Sequence, residues 1–193
     1  MNIKVALSIA LIVFFWASSF VAIKLGLEDI SAMNLTLGRF IISSITLGVL
    51  AIINRPSPVH KKDWLRFVVA SLSGVTLYNL ALNYGQETVS VGSASFLINT
   101  VPIFTLLSFL VLKEKVTIKI ASGIVLGTVG VGLITLSESE NLELNFGILL
   151  VLAAAFGQAI FYIIQNPLLT RYSPLTVISY SVWLGTLFPL PFS

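Results

Sequence analysis

The sequence contains no cysteine and a single histidine, His60. Without cysteine, disulfides, thiolate metal sites and cysteine nucleophiles are excluded. A lone histidine in a basic loop lacks the three or four ligands that a protein metal site takes. Charge is scarce as well. Only 10% of the residues are Asp, Glu, Lys or Arg, against 56% hydrophobic, where a soluble domain carries about 25% charged residues. So little charge does not cover a water-facing surface. The net charge of +3 is no sign of nucleic-acid binding, because the basic residues lie between apolar runs and not in a cluster with aromatics. No apolar run carries a carboxylate at mid-depth, the usual device of proton-coupled carriers. Glycine-rich phosphate loops with lysine, HExxH pairs and intramembrane Ser/His pairs are absent too. Nothing in the residues points to an enzyme or implies a cofactor.

What is present is a series of seven apolar runs, at about 5–23, 33–53, 67–85, 91–112, 118–136, 144–164 and 175–192. Each is near the roughly 20 residues a helix needs to cross a bilayer while satisfying its own backbone. The first run continues through Phe20–Ile23, longer than the ~7–15-residue core of a signal peptide, and reads as a span. The chain is expected to be an all-α, polytopic membrane protein.

The connections alternate in charge. With the N-terminus inside, nine of the eleven Lys and Arg lie on the cytoplasmic side and all but Lys24 and Arg39 are accounted for. Six of the eight acids then lie outside, Asp63 and Glu114 being the others. The positive-inside bias therefore predicts a cytoplasmic N-terminus. The stretch around Trp16-Ala17 aligns weakly with Phe156-Gly157, and Ser31-Ala32 with Ser173-Pro174 at nearly the same offset. Five helices precede the second copy, so it enters the membrane from the other side. That pattern predicts inverted five-helix repeats, a plan common among secondary transporters. The first repeat would be complete over 1–137 and the second partial over 144–193.

Polar residues recur on helix faces at i, i+4, i+7 spacing. Asn79, Asn83 and Gln86 share a face of the third helix, Ser95, Asn99 and Pro102 of the fourth, and Gln158, Tyr162 and Gln165 of the sixth. Trp16 and Ser19 lie together on the first. Such groups serve either as hydrogen-bonding glue between helices or as the lining of a solute path. Four amides on three helices (Asn79, Asn83, Asn99, Gln158) favour a lined cavity. Pro102 removes one backbone donor and frees the carbonyl of Ile98, which gives either a tolerated kink or a hinge facing the cavity. Arg39 stands about six residues into the second run, ~9 Å from its outer end at ~1.5 Å per residue. It is expected to snorkel, to pair with Glu28, Asp29 or Glu87, or to contact solute. Gly123, Gly127 and Gly130 form a small-residue stripe that signals helix packing. Glu114, between two lysines, is expected to be an interfacial ion-pair partner.

These residues carry a resemblance. Trp16-Ala17-Ser18-Ser19-Phe20 followed by Lys24, then Gly38-Arg39-Phe40, then Pro102-Ile103-Phe104 with Leu112-Lys113-Glu114-Lys115, and the glycine-spaced fifth run to Gly132, resemble in order and spacing the EamA-type transporters of the drug/metabolite transporter superfamily. The resemblance implies a ten-helix carrier of two inverted repeats, in the bacterial inner membrane or an equivalent one. It implies export or exchange of amino acids, other metabolites or drugs through a central cavity. The seven runs are then part of a longer carrier, or work with a second subunit. Trp16 stands where the smaller multidrug relatives carry a helix-1 glutamate, which argues against their proton-antiport scheme.

The expected function is a solute exporter or exchanger working by alternating access in the lipid bilayer. Its path would be lined by Trp16, Ser19, Arg39, Asn79, Asn83, Asn99, Pro102, Gln158 and Tyr162. The alternative is a non-transporting membrane protein that partners a full-length carrier. No catalytic residue, metal ligand, cofactor site or nucleic-acid partner is expected.

Overall fold

The computed structural model describes residues 3–111, 117–137 and 145–192. Those residues are helical or in connections, and contain no strand. In chain order the helices are α1 (Ile3–Asp29), α2 (Ala32–Asn54), α3 (Lys61–Thr88), α4 (Val91–Ile98), α5 (Val101–Val111), α6 (Ile118–Ser137), α7 (Phe146–Leu169) and α8 (Pro174–Leu187), with a final 3-10 turn at Leu190–Phe192. Five stretches are long and apolar enough to cross a membrane: α1, α2, α3, the α4–α5 pair over Val91–Phe109, and α7. The apolar stretch Ile118–Gly130 of α6 and the 14 residues of α8 are shorter.

Local sequence sets the helix starts. Ser31, Ser90, Asn145 and Ser173 precede α2, α4, α7 and α8, and each side chain accepts the N–H three residues on. That satisfies one donor the helix would leave free. Pro174 opens α8, where its missing N–H costs nothing. Arg55 ends α2 in the left-handed region at φ 44°, and its N–H closes onto Ala51 O at 2.8 Å.

Two helices depart from regularity. Within α3, Ser71–Leu77 is π-helical, so that the N–H of Tyr78 reaches Ser73 O, five residues back. The predicted fourth span is divided. It stops at Ile98, turns through Asn99 and Thr100, and restarts at Val101. Pro102 therefore does not kink a continuous helix. It sits in the first turn of α5, where no N–H is required of it.

The packing centres on α7, which lies along α3 and also touches α4 and α5. α3 in turn packs on α1, α2 and α8. Close approach of α3 and α7 is carried by glycines. A Cβ on Gly74 would enter the Phe161 ring, one on Gly157 would lie 2.7 Å from Ser73 O, and one on Gly85 would lie 2.6 Å from Val151. The stripe predicted to pack, Gly123, Gly127 and Gly130 on α6, faces open space among the described residues. The main apolar core joins Phe20 and Ile23 of α1, Leu82 of α3, Ala94 and Ile98 of α4 and Val151 and Ala155 of α7.

The two ends of the bundle are tied by polar side chains. At one end Lys24 donates to the carbonyls of Gln86 (2.7 Å), Val89 (3.3 Å) and Glu87 (3.4 Å). A cation there meets the negative end of the α3 dipole. At the other end Asp63, 1% exposed, accepts from Arg171 Nη1 at 2.7 Å and from the Tyr172 hydroxyl at 2.9 Å. The Tyr172 hydroxyl also accepts the backbone N–H of His60 at 3.1 Å. This end joins the α2–α3 connection to the α7–α8 connection. Glu114 and its lysines lie outside the described residues.

Candidate functional site

The polar faces meet around Tyr78, the first residue after the π-helical stretch. It lies beside Trp16 and within electrostatic reach of Tyr162 and Arg39. It lines the smaller of two cavities, and its neighbours Trp16 and Tyr162 line the larger.

The larger, about 470 Å³, is lined by Val13, Trp16, Ala17 and Phe20 of α1, Ser95 and Ile98 of α4, Val101 and Pro102 of α5, Asn99 between them, and Tyr162 of α7. The division of the fourth span opens onto it. The carbonyl of Ile98 has no N–H at Pro102 to accept, and Asn99 turns its own amide back to Ser95 O at 2.8 Å. A span interrupted at an Asn and a Pro beside a cavity is the arrangement in which irregular backbone is tolerated within a membrane.

The smaller, about 210 Å³, is lined by Arg39, Phe40 and Ser43 of α2, Gly74, Val75, Tyr78 and Asn79 of α3, Gln158 and Phe161 of α7, and Ile178 and Val182 of α8. Asn79 spends its N–H on Val75 O at 2.9 Å. The buried Gln158 Oε1 has no hydrogen-bond partner among the described residues. A third cavity of about 320 Å³, lined by residues of α5 and α6 with Tyr162, is almost wholly apolar.

The predicted path residues thus divide. Trp16, Asn99, Pro102 and Tyr162 come together in the larger cavity, and Arg39, Asn79 and Gln158 in the smaller. Two do not line either. Asn83 is fully buried, donates to Thr36 Oγ1 at 2.7 Å and accepts from Arg39 at 3.4 Å. It serves as a cross-helix tie. Ser19 returns its hydroxyl to Trp16 O at 2.6 Å on its own helix. Arg39 pairs with none of Glu28, Asp29 and Glu87; among the described residues the ion pairs belong to Asp63. The reason is its position on α2, whose inward face points at α3 and not at the helix ends. Tyr78, Phe161 and Thr36 were not singled out by the sequence. A tyrosine flanking a run of amides was the one available signal, and for the other two there was none.

The Lys24 tie also borders a cleft of about 410 Å³, lined by Lys24, Leu27, Glu28, Asp29, Ile30, Ser31, Gln86 and Glu87. Among the described residues no group of three His, Cys, Asp or Glu side chains is placed to hold a metal ion.

The chain was compared with known proteins. Residues 3–136 match the model of the EamA-like transporter family. An uncharacterized transporter of Bacillus subtilis, YdfC, is 31% identical over 187 residues, which are 96% of this chain and 61% of the relative. A probable terminal-alkyne amino-acid exporter of Streptantibioticus cattleyicolor is 32% identical over 97% of this chain and 63% of its own length. An uncharacterized transporter of Archaeoglobus fulgidus is 35% identical over 100% of this chain and 68% of its own. The chain spans 61–65% of the length of the first three such relatives. No solved structure matches at a significant level. With the broken span, the amide-lined cavities and the family match over most of its length, the chain belongs to the EamA-like transporter family.

Proposed function

We propose that the chain forms the solute path of an exporter that works by alternating access. The observation that carries this reading is the break at Asn99–Thr100, which opens onto the 470 Å³ cavity between Trp16 and Tyr162. A span divided into α4 and α5 lets one half tilt while the other stays packed on α7. The smaller cavity behind Tyr78 continues the path toward α8. Residues 1–137 act as one repeat and 144–193 as part of a second, inverted one. The N-terminus lies in the cytoplasm of a bacterial inner membrane, which the placement of nine of the eleven Lys and Arg supports. The relative named as an amino-acid exporter makes amino acids the first solutes to try.

The test is efflux from proteoliposomes that hold the full-length gene product, with a panel of amino acids. Asn99→Ala and Gln158→Leu are each expected to lower the transport rate at least several-fold while the protein still assembles. Unchanged transport in both would remove the two cavities from the path. A protein that moves no solute of any class would remove the transport reading itself.

A further inference from the structure

The guanidinium of Arg39 is poorly matched by its surroundings. Among the described residues its one hydrogen bond is to Asn83 Oδ1 at 3.4 Å, longer than the ~2.7–2.9 Å of a charge-assisted hydrogen bond. Asn83 is held on its other side by Thr36, to which its amide N–H donates. Guanidinium presents five donors in a planar fork suited to carboxylate. No carboxylate among the described residues forms an ion pair with it. A cation inside an apolar span is costly and is normally paired or used.

The cavity it lines is small, with Phe40, Val75, Phe161, Ile178 and Val182 among its walls and a few polar groups set between them. Ser43, Tyr78 and Gln158 bring a hydroxyl, a phenol and an amide. Beyond Tyr78 the larger cavity is mostly apolar, with Trp16 and Tyr162 as its aromatic walls. The smaller space thus has a cation in its wall and the larger has none.

We infer that the solute is an amphipathic carboxylate, its carboxylate on Arg39 in the smaller cavity and its apolar body between Trp16 and Tyr162 in the larger. The inference rests on the transport reading above and names the substrate class of that path. Volume agrees. About 210 Å³ admits a carboxylate with its neighbouring atoms, and about 470 Å³ an aromatic or branched side chain. Tyr78 lines the smaller cavity and lies beside Trp16 and Tyr162 of the larger, so a solute reaching across passes it. An ammonium on the adjacent carbon would find acceptors in Gln158 Oε1, which has no partner, and in the unspent Asn79 oxygen.

Binding is measured by calorimetry on the purified full-length protein in detergent, so that the result is independent of transport. The probes are 3-phenylpropionate, its uncharged amide 3-phenylpropanamide, phenethylamine and L-phenylalanine. The two carboxylates are expected to bind at least tenfold more tightly than the amide and the amine. Arg39→Gln is expected to erase that preference and Arg39→Lys to keep part of it. If Arg39→Gln does not fold, the ranking of the four probes on the wild-type protein still decides. Equal binding of acid and amide, preference for phenethylamine, or binding of no probe overturns the inference. A protein that exports phenethylamine and is indifferent to Arg39 would refute the inference while leaving the transport reading standing. Binding of the carboxylates without any flux would do the reverse. Tighter binding of L-phenylalanine than of 3-phenylpropionate would support the inference and add the ammonium contact.

Discussion

Thr36→Val tests the tie that holds α2 against α3. Thr36 and Asn83 are both fully buried. The threonine hydroxyl accepts the Asn83 amide N–H at 2.7 Å and donates to Ala32 O at 2.7 Å. Valine keeps the shape and offers neither function. The Ala32 carbonyl is within a helix and loses little. The Asn83 amide is left without an acceptor away from water, which costs roughly 1–3 kcal/mol. Polar pairs between membrane helices reach only about 1.7 kcal/mol in measured cycles, because the unfolded chain also finds partners in the membrane. Together these set the expected loss at about 1–2 kcal/mol. The assay is reversible unfolding by SDS titration in mixed micelles, read by tryptophan fluorescence. The single variant is combined with Asn83→Leu to form a cycle. Once Asn83 is gone the valine has nothing to orphan, so the double variant is expected to be less destabilised than the sum by about 1 kcal/mol. A coupling within about 0.3 kcal/mol of zero, as for independent sites, would refute the tie.

Further expectations follow from the packing and the ends. Gly157→Val places side-chain atoms against Ser73 O, 2.7 Å from the Cβ position, and is expected to destabilise by about 1–3 kcal/mol in the same titration, whereas Gly127→Val, with nothing near its Cβ, is expected to change little. Lys24→Met removes the cation from the α3 carbonyls, and a loss of about 0.5–1 kcal/mol is expected; no loss would mean those contacts are idle. Asp63→Asn weakens the junction of the α2–α3 and α7–α8 connections. The sequence has no cysteine of its own, so a single cysteine at Ser57, whose N–H bonds Thr176, reports the opening. Faster maleimide labelling is expected, and an unchanged rate would count against the junction as a closure.

Much of the fold was legible because a bilayer imposes one rule on every span: about 20 apolar residues with no free backbone. α1, α2 and α7 obey it plainly, and the capping residues Ser31, Ser90 and Ser173 mark their neighbours' starts. Pro102 announced trouble in the fourth span, but a proline's cost falls on residues before it, so the break came at Asn99–Thr100. The site was legible by residue type and not by partner. Asn79, Asn83 and Gln86 share one face, yet Asn83 turns to Thr36 and Gln86 donates to Phe20 O, while Asn79 borders a cavity. Only the neighbouring helix decides which amide is tied and which is left facing a cavity. Glycines misled for a similar reason. Regular spacing on α6 drew attention, whereas the crossing of α3 and α7 is made by Gly74, Gly85, Gly147 and Gly157, which belong to two different helices and form no motif in either.

The π-helical stretch Ser71–Leu77 has a consequence for how α3 can be edited. Each five-back hydrogen bond takes in one residue more than an α-turn does. The part of α3 before Ser71 and the part after Leu77 are thus out of phase by about the angle of one residue, roughly 100°. That offset is what lets Phe67 face Leu168 and Tyr172 at one end while Tyr78 and Asn79 face the cavity beyond. A one-residue deletion among residues 71–77 would let the segment relax to an ordinary α-helix with its ladder intact. The helix would survive, and the register between its two halves would not: Asn79 and Tyr78 would swing away from the smaller cavity although both were still present.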